Sequence, residues 1–372
     1  MADAEKKILN ALVSQQIHNG GYNPQTWGAV TRYSCPYGCD HCLFGSDPSD
    51  NVKISDGVLD AYVAAAIRRN IRGGFMISGG EPMLNPEQVF GLVRRANEAG
   101  LKVGLNSAFL GYSKDAIEEN AERLKEAGLS SFHGSISASH NKSHPKKIEM
   151  PYQAYQAAIF DAFTRRGIEV HIKVVYDHEN GKLVGELSSE IVLNKLNVKD
   201  IVKDPLSCDG SWITSNHGTP IVLSLADVIT IGKARVNNIF NKSRGDIQYK
   251  IEELEYACPA TDIGKMIGGV LLLYPDGNVA RCCVAERGAD FGFGNAYEQD
   301  IEQIIENIGK SLFHDFKFPD RLKLAHKVMK DEFPDLLPEG GAKEVCEICS
   351  PMVSHPEVKE RLRQEPLFEY CF

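Results

Sequence analysis

The sequence predicts an α/β fold: a partial (β/α)6 barrel, TIM-like but cut short, followed by a smaller C-terminal α+β domain. Three observations predict it. Short apolar runs alternate with helical patterns that end at glycines, the arrangement of parallel βαβ units. Each expected strand delivers a polar or ligating residue at its C-terminal end. A separate group of cysteines surrounds a hairpin-like stretch late in the chain. At 372 residues and 43 % hydrophobic content, the chain can bury one large core and a smaller one beside it. The expected organisation is an N-terminal helix over 1–24, the barrel over 25–205, a linker over 206–257 and the C-terminal domain over 258–372.

Residues 5–18 read as a short amphipathic helix before a turn rich in Gly and Asn. Trp27 to Tyr33 is the first strand. The next helix, about Gly57 to Ile71, has Leu59, Tyr62, Val63, Ala66 and Ile67 at helical spacing, which marks its core face. Phe75 to Ser78 is the second strand. Asn85 and Pro86 then read as N-cap and first residue of a helix closed by Gly100. The unit repeats with strand Lys102 to Asn106, a helix from Ser113 to Gly128, strand Ser131 to Ser137, a helix from Pro151 to Gly167, and strand Glu169 to Tyr176. A helix near Leu183 to Leu196 leads to a sixth strand, Asp200 to Val202. The linker is expected to hold one or two helices.

Parallel barrels place their chemistry at the C-terminal ends of the strands. Here those ends carry Cys35, then Gly79 to Glu81, Asn106 and Ser107, Ser137 and Ser139, Tyr176 and Asp177, and Asp204. Six such ends can ring one cavity.

The first of them opens the stretch Ser34 to Phe44, in which Cys35, Cys39 and Cys42 stand in a CxxxCxxC spacing. Three thiolates so placed can hold three irons of a cuboidal [4Fe-4S] cluster and leave the fourth iron without a protein ligand. A cluster that only carries electrons usually takes four cysteines, whereas a vacant corner can bind a small molecule. Zinc knuckles more often show paired CxxC motifs, or CxxC with His. With Gly79-Gly80-Glu81-Pro82 after the second strand, the spacing resembles that of the radical S-adenosylmethionine (SAM) enzymes. The resemblance implies that SAM chelates the vacant iron through its amino and carboxylate groups. It also implies that the glycine-rich turn brings exposed backbone toward the methionyl ammonium, an approach a side chain would block. His41 stands where that family usually has an aromatic group near the adenine, and Ser137 matches a serine that contacts SAM. Asn106 joins Gly79, Gly80, Glu81 and Pro82 in the expected cofactor-binding set. After Ser137 the chain reads Ala138-Ser139-His140, a departure from the family's Asp-Gly. His140, His144 and His171 read as core or solvated histidines rather than catalysts.

Cys258 opens a second pattern. An apolar strand, Gly269 to Tyr274, is followed by the turn Pro275-Asp276-Gly277-Asn278 and a strand carrying Cys282 and Cys283, a good hairpin signal. Cys346 and Cys349 come later as CxxC. Cys258, Cys282, Cys346 and Cys349 could form a four-cysteine cage, and the same four could hold a structural zinc. The Gly277-x4-Cys282 element and the Phe293-Gly294-Asn295 run resemble the auxiliary-cluster domains called SPASM or, in shorter form, twitch. That resemblance implies a second [4Fe-4S] cluster. Cys208, Cys283 and Cys371 remain. Each reads as a buried small residue or as a hydrogen donor to a substrate radical, and Cys283 points away from its neighbour because adjacent strand residues face opposite sides.

Net charge is -9 with no basic run, so no nucleic-acid footprint is expected. The charged N-terminus lacks a signal-peptide core, and no run of about 18 apolar residues can span a bilayer. A cytoplasmic protein is therefore expected, with its ten cysteines reduced or bound to metal. The resemblance implies an external one-electron reductant such as flavodoxin or ferredoxin, reductive cleavage of SAM to a 5′-deoxyadenosyl radical, and hydrogen abstraction from a substrate C–H bond. The first substrate reading is a ribosomally made peptide. The second is an aminocyclitol or sugar, since only about 25 residues precede the first strand and no fused leader-binding domain is expected. The third is a non-catalytic iron–sulfur or zinc scaffold.

Overall fold

The computed structural model describes residues 24–227 and 270–368, apart from 25, 70–73, 110–112, 145–147, 149, 177–180, 197–199, 204–209, 281–286, 288–292, 311–317, 339–341 and 343–344. The expected N-terminal helix over 1–24 and most of the linker lie outside the described residues.

Five strands alternate with helices in chain order, two helices following the fourth: β1 (Thr26–Val30), α1 (Asp56–Arg68), β2 (Gly74–Ser78), α2 (Pro86–Glu98), β3 (Lys102–Asn106), α3 (Lys114–Ala127), β4 (Leu129–Ile136), α4 (Ala138–Lys142), α5 (Tyr152–Arg165), β5 (Glu169–Tyr176) and α6 (Gly181–Ser189), which runs into a π-helical turn. Helix boundaries follow local chemistry. The Ser55 and Ser113 side chains accept N–H bonds at the starts of α1 and α3, and Gly128 closes α3 with φ of 95°. Asn85 precedes α2 without a side-chain cap bond, and Pro86 does open that helix.

Four further strands are β6 (Asp200–Lys203), β7 (Gly210–Thr214), β8 (Pro220–Asp227) and β9 (Val270–Leu273), with a two-residue β10 (Val279–Ala280). One open sheet runs in the order β10-β9-β1-β2-β3-β4-β5-β8-β7-β6. The row β9-β1-β2-β3-β4-β5-β8 is parallel throughout, and both flanks end in antiparallel pairs. This is a partial barrel, unclosed at its edges.

The expected sixth strand needs correction. Asp200–Lys203 pairs antiparallel with β7 at the edge of the sheet, and the strand beside β5 is β8. Part of the stretch expected as a helical linker is thus sheet. The apolar run Ile221 to Leu223 seats β8 beside β5, with Ile221 fully buried. The turn Ser215 to Thr219, with Gly218 at φ of 77°, folds β7 back against it.

Alternation along the strands separates two faces. Trp27, Ala29, Phe75, Ile77, Val103, Leu105, Phe132, Val170 and Ile172 are fully buried under the helices. Phe132 stacks on Phe163 of α5 with centroids 4.1 Å apart, and Phe109 meets both rings edge-on at 5.4 and 5.3 Å. The intervening residues Asn106, Ser131, His133, Ser135, His171 and Lys173 lie on the other, concave face and keep partial or full exposure.

Three more helices, α7 (Ile301–Lys310), α8 (Phe318–Glu332) and α9 (Val345–Ser354), precede the last, α10 (Pro356–Arg363). Among the described residues no helix is long and apolar enough to cross a membrane. Phe132→Ala is expected to cost about 3–5 kcal/mol, the range for truncating a buried aromatic, read as a lower urea midpoint with an unchanged m-value.

Candidate active site at the cysteine loop

Beyond β1 the chain stays extended and pairs with the turn that follows β2. Thr31 N–H donates to Ser78 O at 2.8 Å, Gly80 N–H to Arg32 O at 2.8 Å, and Glu81 N–H to Ser34 O at 2.9 Å. The two backbones lie so close that only glycine fits at two positions. A Cβ on Gly80 would stand 2.2 Å from Ser34 O and 2.6 Å from Tyr33 O; one on Gly79 would stand 2.9 Å from Arg32 O. The close approach that demands glycine here is therefore that of the chain delivering Cys35.

From Cys35 a loop leaves and returns. Cys35 N–H donates to Asp47 O at 3.3 Å, Tyr33 N–H to Val52 O at 3.1 Å, and Ile54 N–H to Thr31 O at 2.9 Å. Gly38 and Gly45, with φ of 54° and 61°, make the loop's tight turns. Within it Cys35, Tyr37 and Cys39 form a small buried cluster against which Cys42 and Ala108 pack. Ser46 N–H points at Cys42 Sγ, 3.4 Å away.

Burial, followed by the nearby Glu81, pushes the Cys35 thiol up to about 12, and the N–H groups of Tyr37 and Gly38 pull it the other way. Bound iron deprotonates such a thiol, and backbone N–H donors then stabilise the sulfur's charge. Three gathered thiols with amide donors suit a cluster that takes one cysteine per iron. Among the described residues no three His, Cys, Asp or Glu side chains gather about a single-ion position.

Glu81 is fully buried. Its Oε1 accepts from Met83 N at 2.9 Å and Ser107 Oγ at 2.5 Å, and its Oε2 accepts from Ala108 N at 2.9 Å. Burial raises its pKa against the pull of those donors. The carboxylate thus braces the turn after β2 to the loop after β3, where Tyr155 Oη donates to Phe109 O. Pro82 begins a 3-10 turn beside it, in which Pro82 and Met83 are buried.

The other expected cofactor residues surround the same mouth. Asn106 ends β3 opposite His133. Ser137 is buried and caps α4, its Oγ accepting from His140 N at 3.0 Å. His41 Nδ1 lies 3.3 Å from Ser139 Oγ. The sequence did not single out Tyr37, and it set His140 aside; the structure stacks their rings with centroids 4.4 Å apart. The His140 Nδ1–H donates to Ser135 O at 3.2 Å, and burial holds the ring neutral by lowering its pKa to about 4. Helix α4 thereby touches the cysteine loop, and its Lys142 adds an ion pair with Asp40 at 3.9 Å. An aromatic between the first two cysteines was the available signal.

The turn between β9 and β10 reaches the same loop. Tyr33 Oη donates to Asp276 Oδ2 at 3.3 Å, and burial raises its pKa. Arg287 pairs with Asp50 and lies 4.4 Å from the Tyr33 ring centroid. Ser55 N–H donates to Tyr297 Oη at 3.1 Å. Of the second cysteine set, Cys346 belongs to α9 and the partly buried Cys349 packs on the main core. Cys258 and Cys282, and the candidate hydrogen donors Cys208, Cys283 and Cys371, lie outside the described residues.

Residues 30–187 match the family model described as Radical SAM superfamily. No curated protein sequence matches the chain. Among solved structures, BtrN in complex with AdoMet and 2-DOIA is similar with a TM-score of 0.45 at 13 % identity, over 81 % of this chain and 89 % of that one. SuiB of Streptococcus suis bound to precursor peptide SuiA gives 0.47 at 11 %, over 79 % and 67 %. anSMEcpe with bound AdoMet gives 0.49 at 13 %, over 93 % and 97 %.

Gly80→Ala is expected to destabilise the protein by about 3 kcal/mol, since the clash is with backbone that cannot yield cheaply. It should also lower iron retention after reconstitution, measured by urea titration and iron analysis; wild-type values in both would refute the contact.

Proposed function

We propose, on the premise that residues 30–187 match the Radical SAM superfamily model, that the protein cleaves SAM reductively and uses the resulting radical to modify a ribosomally synthesised peptide. The observation that carries the reading is the seating of Cys35, Cys39 and Cys42 in one apolar cluster at the C-terminal end of β1. When bound there, a [4Fe-4S] cluster supplies one electron to SAM, giving methionine and a 5′-deoxyadenosyl radical that takes hydrogen from an unactivated C–H bond. Flavodoxin or ferredoxin is the reductant class such a site takes.

The chain's own contribution is placement and shielding. Cys35, Cys39 and Cys42 would hold three irons of the cluster, and Gly79 and Gly80 let the backbone of 31–34 approach closely enough to aim them. Glu81 ties the surrounding turns together, while His41, Asn106 and Ser137 line the approach to the mouth. The partly exposed concave face of the barrel is the space that receives a substrate.

The peptide reading draws on Cys258, Cys282, Cys346 and Cys349, whose pattern is like a SPASM or twitch domain with one auxiliary [4Fe-4S] cluster. Electron loss to such a cluster gives dehydrogenation or a cross-link, and a hydrogen atom from Cys208, Cys283 or Cys371 gives epimerisation. The single four-cysteine set favours a second reading, dehydrogenation of an aminocyclitol or sugar, because one auxiliary cluster suffices for that chemistry.

Cys39→Ala is expected to abolish 5′-deoxyadenosine release from SAM by the reconstituted, reduced protein under anaerobic conditions, followed by chromatography; undiminished release would sink the assignment. Cys346→Ala should keep the first cluster, seen in its paramagnetic resonance spectrum and iron content, and lose product formation. Full turnover by that variant would show the second set to be dispensable.

A further inference from the structure

The register of the central strands lays the concave face out in rows. One row runs through Asn106, His133, His171 and Val222. Ser131 Oγ lies 3.0 Å from His133 Nε2, the His133 and His171 rings stack with centroids 4.2 Å apart at 9°, and His171 Nε2 is 2.5 Å from Glu169 Oε1. Burial, with His171 and Lys173 close by, lowers the His133 pKa to about 3, so that ring is neutral. The acidic side chain in this group is thus already matched to His171.

The next row toward the mouth is Ser135, Lys173 and Ser224, opposite one another on β4, β5 and β8. Lys173 is exposed, and Ser135 and Ser224 are partly so. Among the described residues the Lys173 ammonium makes no ion pair, and neither serine hydroxyl has a hydrogen-bond partner. Cross-strand neighbours in one row lie about 4.8 Å apart, so a serine stands on each side of the lysine on one face of the sheet.

We propose that Ser135, Lys173 and Ser224 bind a carboxylate of the substrate and hold it across the barrel mouth from the cysteine loop. The chemistry fits because an ammonium beside two hydroxyl donors satisfies both oxygens of a carboxylate with charge-assisted bonds. A substrate's carboxylate, rather than that of SAM, fits the position. β5 is four strands from β1, about 19 Å along the sheet at the usual strand spacing, whereas the methionyl end of SAM belongs at the cysteine loop. The inference rests on the radical SAM reading for its identification of the bound molecule as substrate. It narrows that substrate to an acid, such as a peptide with a free C-terminus or an acidic side chain near the reacting carbon.

The test reads binding alone, so its outcome stands apart from whether SAM is cleaved. The thermal midpoint of the full chain is followed against N-acetylglycine, with N-acetylglycinamide as the uncharged control, at constant ionic strength. The wild type should show saturable stabilisation by the acid and none by the amide. Lys173→Met, which keeps the aliphatic stem, should raise the apparent dissociation constant at least about tenfold, the weight of one charged hydrogen bond. Lys173→Arg should retain binding, and Ser135→Ala with Ser224→Ala should weaken it. SAM affinity should be unchanged in Lys173→Met. Equal stabilisation of wild type and Lys173→Met by the acid, or no saturable stabilisation of either, would overturn the proposal. So would a loss of SAM affinity in Lys173→Met, because it would assign the lysine to the cofactor.

Discussion

Everything at the mouth of this barrel depends on one backbone contact, the extended chain at Arg32 to Ser34 pressed against Gly79 and Gly80. Three backbone hydrogen bonds join residues 31–34 to residues 78–81, and the glycines are there because any side chain would occupy the space of the neighbouring carbonyls. The contact carries the ladder between β1 and β2 past the ends of the regular strands. It therefore determines where Cys35 emerges and in which direction the loop bearing Cys39 and Cys42 leaves. Glu81 extends the brace to the loop after β3 through Ser107 and Ala108. Burying a carboxyl group is costly, and four protein donors, with Met83 and Phe109 among them, offset that cost.

The sheet works as a divider. Its helix-facing side is an apolar core held by aromatic packing among Phe109, Phe132 and Phe163, and this rigid side supplies the stability. The concave side can therefore carry groups that a core would not tolerate. His133, His171, Glu169 and Ser131 satisfy one another there, while in the row above them Lys173 is exposed and Ser135 and Ser224 are partly so. Polar groups projecting from rigid backbone can hold a bound molecule in one orientation.

The late part of the chain closes on the same place. β9 adds to the sheet beside β1, so the turn after it lies next to the cysteine loop, where Asp276 meets Tyr33 and Arg287 meets Asp50 and the Tyr33 ring. Two segments more than two hundred residues apart in sequence share one small region.

The sequence by itself determined what depends on neighbours along the chain. The CxxxCxxC spacing and the glycine turn were legible as local patterns, and so was the order of strands and helices through β5 apart from the short α4, because period and capping act within a few residues. Tertiary structure decided what depends on register between strands. β8, rather than Asp200 to Val202, became the sixth parallel strand, since its position is chosen by burial against β5 and not by chain order. Glu81 became a brace only once the loop after β3 lay above it. The stacked pairs Tyr37 with His140 and His133 with His171, and the row through Ser135, Lys173 and Ser224, join residues that no spacing connects. Side chains on different strands meet only after the ladder sets their register, and the sum of those pairings, rather than any one segment, fixes it.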